Sequence, residues 1–117
     1  MLDTPLLNNL GRYLDVTARR ESVIAGNISN IDTPGYQTRD INFQKELHRL
    51  MEGGAAPGET IAAEIVPGLI ARPDGNNVSL EREGLLLGQT QLQFRAGVEL
   101  LKAEFHKLQS AISEGSK

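Results

Sequence analysis

A chain of 117 residues has room for one domain, and with 4% aromatic residues and no Trp its large apolar contacts must come from Leu and Ile. A net charge of −3 argues against a nucleic-acid partner, whose phosphates need a basic face. The absence of Cys excludes a disulfide framework, a thiol nucleophile and a Cys-based metal site.

In chain order, Met1-Leu2-Asp3-Thr4-Pro5 lacks a basic stretch followed by an apolar core, so no Sec-type signal peptide is expected. Thr4 is a usable N-cap and Pro5 suits the first helical position, so a first helix is expected from there to about Asn30 or Ile31. Gly11 and Gly26 each weaken it by roughly 1 kcal/mol relative to Ala, so its order should depend on packing. Asp32-Thr33-Pro34-Gly35 stops it: Pro34 cannot continue the helix, and Pro-Gly favours a type II turn with Gly35 at positive φ. A short second helix is expected from Asp40 or Asn42 to Met51, with Phe43, Leu47, Leu50 and Met51 on one face. Gly53 to Gly58 reads as a flexible loop. In residues 60–72, Ile61, Ile65 and Val66 suit a short strand that Pro67-Gly68 would turn back. Pro73-Asp74-Gly75-Asn76-Asn77 is a loop, after which Asn77 or Ser79 should cap a long helix ending at Gly115.

That long helix carries the main signal. Alternating steps of four and three land on Leu80, Gly84, Leu87, Gln91, Phe94, Val98, Leu101, Phe105, Leu108 and Ile112, eight of the ten apolar. The mean step of about 3.5 residues keeps one stripe facing a partner helix. The same spacing runs through Leu7, Leu10, Leu14, Thr17, Glu21, Ile24, Ile28 and Ile31, broken by Thr17 and Glu21. The expected fold is therefore mainly α: long N- and C-terminal helices paired as a coiled coil, around a loop-rich middle with one short helix. The whole is one domain, 1–117, divided at 1–31, 32–76 and 77–117. Leu85, Leu86, Leu92 and Leu100 lie off the seam and widen the apolar face beyond what one helix covers, so neighbouring chains are expected there. Both terminal segments are neutral, which permits stacking on copies of the same chain.

Catalytic readings are poor. His48 and His106 sit far apart beside ordinary Lys or Arg, no phosphate-binding loop follows a strand, and Glu81, Glu83, Glu99 and Glu104 alternate with Arg82, Lys102 and Lys107 as on a solvated helix face. No apolar run approaches the roughly 18 residues of a membrane span.

Asn27-Ile28-Ser29-Asn30-Ile31-Asp32-Thr33-Pro34-Gly35-Tyr36, a helix ending in an Asn-apolar-small-Asn run before Thr-Pro-Gly-aromatic, resembles the signature of the flagellar axial proteins, the family of rod, hook and hook-filament junction subunits. Arg39-Asp40-Ile41-Asn42-Phe43, the run from Gly75 to Glu83 and the run from Gln91 to Ala96 are similar to its shortest rod subunits. Ser29 and Ser79 stand where Ala and Asp are usual, and residues 52–72 match no motif. The resemblance implies a structural protein, without catalytic activity, cofactor or small-molecule substrate. Such a protein polymerises through its terminal helices into the proximal rod of the flagellar basal body, a torque-transmitting shaft across the periplasm. Implied partners are copies of the chain, other rod proteins and the adaptor joining the rod to the membrane ring. Export would use the flagellar type III apparatus. The candidate motif and subunit-contact residues are Asn27, Asn30, Thr33, Pro34, Gly35, Tyr36, Leu87, Phe94, Val98, Leu101, Phe105 and Leu108.

Asn27 and Asn30 share a helical face and are expected to fix register against a neighbouring helix, the alternative being that Asn30 only helps to end the helix while Asn27 is solvated. The residues alone also leave open a helical adaptor or chaperone that binds partner helices without polymerising.

Overall fold

The computed structural model describes residues 4–53 and 60–115. The order is α1 (Pro5–Ser29), β1 (Arg39–Asp40), α2 (Phe43–Met51), β2 (Glu64–Ile65) and α3 (Leu80–Gly115). The fold is mainly helical, with long terminal helices packed against each other and one short helix between them. The expected Gly53–Gly58 loop falls almost wholly outside the described residues.

Local chemistry sets the helix ends. Thr4 Oγ1 accepts from the Leu7 amide at 3.1 Å and Pro5 opens α1. Asn42 Oδ1 caps α2 by accepting from Lys45 N at 3.2 Å. Ser79, not Asn77, caps α3, its Oγ accepting from Arg82 N at 3.2 Å. α1 runs unbroken through Gly11 and Gly26 because both α2 and α3 pack along it, which offsets the glycine penalty.

The apolar core lies on the α2 side of α1. Val16, Val23, Ile41 and Leu50 are buried together, with Phe43, Leu47, Ile61 and Ala63 packed around them. Tyr13 meets Phe43 edge-on, ring centroids 5.6 Å apart. Met51, expected on this inner face, is 42% exposed instead, because it sits in the last turn of α2. The segment after residue 60 closes the core: β2 pairs antiparallel with β1, Arg39 opposite Ile65 and Asp40 opposite Glu64. Arg19 Nε donates to Ile61 O at 3.3 Å, and the Ala62 amide donates to Glu46 Oε1 at 3.1 Å.

α1 and α3 run antiparallel, since Asn27 meets Glu83 while Gly97 meets Tyr13 and Leu14. The line of closest contact on α3 is Glu83, Thr90 and Gly97, each fully or almost fully buried and seven residues apart. A methyl on Gly97 would stand 2.8 Å from Leu14 Cδ2 and 3.0 Å from the Tyr13 ring, so this glycine sets how near the two helices come. The apolar seam lies beside that line. Leu87, Phe94, Leu101 and Leu108 are half-buried, about 40° round the helix from it. Val98 is also half-buried, while Leu80, Phe105 and Ile112 are 58%, 40% and 62% exposed. Small and hydrogen-bonded residues take the centre because only they fit there: Gly97 has no side chain and the Thr90 hydroxyl donates to Leu86 O at 2.7 Å. Carried toward the N-terminus of α1, the register sets Pro5 opposite roughly residue 105, so about ten residues of α3, some 15 Å, extend past it. The molecule measures 70 × 27 × 19 Å.

Candidate functional site

The sequence-predicted residues fall in a polar clasp where α1 ends and α3 begins and along the largely half-buried seam of α3, beside its open outer surface. In the clasp, Thr33-Pro34-Gly35-Tyr36 forms the expected type II turn, with Tyr36 N donating to Thr33 O at 3.2 Å and Gly35 at φ +74°. Gly75, at φ +86°, lies so near that a methyl on it would stand 3.3 Å from Gly35 Cα. The two loops are stitched together: Gly35 N donates to Asp74 O at 2.9 Å and Asn77 N to Tyr36 O at 3.2 Å. Asn76, fully buried, donates through Nδ2 to Asn30 O and Thr33 O at 2.9 and 2.8 Å. Asn77 Oδ1 accepts from the backbone and hydroxyl of Thr38 at 2.7 and 2.8 Å. Arg72 donates to Ile31 O and Val78 O.

Asn27 is the centre of the clasp. It is fully buried, and its amide donates to Arg39 O at 2.7 Å and Glu83 Oε1 at 2.6 Å. Its Oδ1 accepts from Tyr36 Oη and Arg39 N, each at 3.1 Å. Two donors and one two-lone-pair acceptor are thereby all engaged inside the chain. All of these contacts lie within the chain, and the side chain is not solvated. Asn30 follows the helix-end reading: its Nδ2 donates to Gly26 O at 2.8 Å, its backbone N–H bonds the last turn, and its Oδ1 accepts from Thr33 Oγ1 at 3.0 Å.

Glu83, expected on a solvated face, is fully buried, with Oε2 held by Arg82 at 2.7 Å. Arg20 grips Asp40 with two bonds of 3.0 Å, and Arg82 reaches the same carboxylate at 3.9 Å. A chain of ion pairs and amide bonds thus joins α1, β1 and α3. Glu83 escaped the sequence reading because its i, i+1 charge pattern is that of a surface; only the Asn at the end of α1 hinted that a buried acceptor was needed. Nearer α2, burial raises the Tyr13 hydroxyl pKa. Burial alone would raise the Glu46 carboxyl too, but the Ala62 amide and the Arg49 guanidinium hold it below its ordinary value.

The outer surface of α3 is apolar and open. Leu85, Leu92 and Leu100 are 75%, 66% and 59% exposed. Gly84, Leu85, Gly88, Gln91, Leu92 and Arg95 lie along a shallow groove of about 580 Å³. Phe94 and Val98 line a second groove beside Glu21 of α1. Among the described residues no three metal-ligating side chains come together, and no helix is long and apolar enough to cross a membrane.

Residues 7–37, which are α1 and the turn after it, match the family model described as flagella basal body rod protein. Over most of its length the chain is 30% identical to the flagellar basal body rod protein FlgB of Salmonella typhimurium, covering 88% of this chain and 89% of that one. FlgB of Yersinia enterocolitica is 27% identical over 87% and 89%, and FlgB of Bacillus subtilis 27% over 93% and 94%. With this identity carried over most of both chains, the chain belongs to the FlgB family of flagellar basal body rod proteins.

Proposed function

We propose that the chain is a subunit of the proximal rod that polymerises through its terminal helices into a torque-transmitting shaft across the periplasm. One observation carries the reading beyond the family's structural role in the rod. α3 is a 36-residue helix that outruns its intrachain partner and keeps Leu85, Leu92, Leu100 and Ile112 more than half exposed along it. Large apolar side chains left exposed at intervals along a helix of this length mark surface meant for other chains. The clasp supports the same reading, because a polar network fixes the hairpin angle and so the direction in which that face points. The partners are copies of the chain, other rod proteins and the adaptor between rod and membrane ring. Delivery is by the flagellar type III apparatus.

The test is fractionation of cells carrying a tagged chain. Recovery with purified basal bodies, resistant to removal by salt, is the expected result. A chain that stays in the cytoplasm bound to other flagellar proteins would instead make it a non-polymerising adaptor.

A further inference from the structure

The outward stripe of α3 comprises Glu81, Leu85, Gly88, Leu92, Arg95 and Glu99, all exposed. At about 100° per residue these lie roughly 140–200° round the helix from the Glu83–Thr90–Gly97 contact line. Leu85 and Leu92 therefore face away from α1, while Arg95 stands at the rim of the groove that Glu21 of α1 also lines. α1 has a matching stripe: Asp15, Ala18, Ser22 and Ala25 are exposed, on the side away from Asn27 and hence away from α3. One face of the hairpin carries large apolar knobs and the opposite face is nearly flat. Faces that differ and point in opposite directions associate head to tail, so that each copy offers one face to the copy before it and the other to the copy after it.

We propose that the outer face of α3 docks on the outer face of α1 in a second copy of the chain, antiparallel and in the register the two helices already share within one chain. This rests on the reading of the chain as a rod subunit and names the surfaces through which it assembles. The choice of occupant comes from complementarity of shape and charge. With the intrachain offset, which sets Glu83 beside Asn27 and Gly97 beside Tyr13 and Leu14, Leu85 falls on Ala25, Gly88 on Ser22 and Leu92 on Ala18. Each leucine then meets a residue small enough to let the helix backbones approach. The charge on the stripes agrees at the same offset: Arg95 falls on Asp15, while Glu99 falls on Gly11 and meets no like charge. A register displaced by one heptad either way would put Arg95 on Ser22 or Asn8 and leave only one of the two leucines on an alanine, so the unshifted pairing is the one that sets both leucines on alanines and gives Arg95 an acid.

Because the chain has no Cys, a double variant Ala18→Cys with Leu92→Cys reports this contact alone; the two positions lie on opposite sides of one hairpin and cannot bridge within a chain. Mild oxidation of basal bodies containing the full-length variant should give a ladder of dimers, trimers and larger multiples on a non-reducing gel, and neither single variant should give it. Monomer alone, or a product joined through position 92 to a chain of another mass, overturns the proposal while leaving the rod reading intact. Absence of the unsubstituted chain from basal bodies overturns both. Charge reversal reads the same contact without cysteine. Arg95→Asp should lower the amount of chain incorporated by about tenfold, and adding Asp15→Arg to the same chain should restore it. Undiminished incorporation of Arg95→Asp, or no recovery in the double variant, counts against the proposed register.

Discussion

Asn27 has no hydrogen-bonding position to spare, and the consequence at the scale of one residue is a fold-stability role. Asn27→Leu leaves the Glu83 carboxylate buried with one donor fewer and strands Tyr36 Oη and the Arg39 amide. Chemical denaturation of the monomer should show a loss of about 3 kcal/mol, whereas a residue reserved for a neighbour would leave the monomer's stability unchanged. Gly35→Val should cost roughly 1–2 kcal/mol in the same measurement, since a β-branched residue resists φ near +74°. Glu46 gives a pH signature. Its carboxyl titrates below its ordinary 4.5 in the folded chain, so its contribution is fully present above that value and fades as pH falls through the lower folded pKa. Glu46→Gln should therefore destabilise the chain at pH 7, and the difference from the parent should shrink toward pH 2. The Pro-Gly turn was legible in the sequence because the dipeptide itself dictates the backbone angles. The partners of Asn27 were not: they come from 9 to 56 residues away, and nothing local to an Asn specifies them.

At the scale of elements, helix ends and seam spacing could be read directly, because caps and periodicity are local. The facing of α3 could not. A 3.5-residue repeat says that a stripe is apolar, but not which edge of it the nearest partner takes. Here one glycine decides: Gly97 admits Tyr13 and Leu14 and turns half of the seam aside. Two glycines of α3 should consequently respond in opposite directions. Gly97→Val overfills the contact and should lower stability by about 1–3 kcal/mol. Gly88→Ala enters open space on an exposed face and should raise it by up to about 1 kcal/mol. Thermal melts of the two monomers compare them.

For the whole molecule, an antiparallel hairpin locked at one end by a polar clasp leaves the far end of α3 unaccompanied by α1. Amide exchange in the monomer should be slowest around Val16–Asn27 and Glu83–Gly97, and fast over residues 106–115. Protection of that last stretch should appear on assembly. Uniform protection along α3 in a monomeric sample would mean that its end is already satisfied without a neighbour.

The most direct test of the central claim, that this hairpin is a rod subunit packed through the outer face of α3, is electron microscopy of isolated basal bodies with the chain traced in the density. The account predicts the clasp and hairpin as described, inside the rod, with Leu85 and Leu92 buried against a helix of an adjoining subunit. Rods built without this chain, or a traced subunit whose Leu85 and Leu92 face solvent, would contradict it.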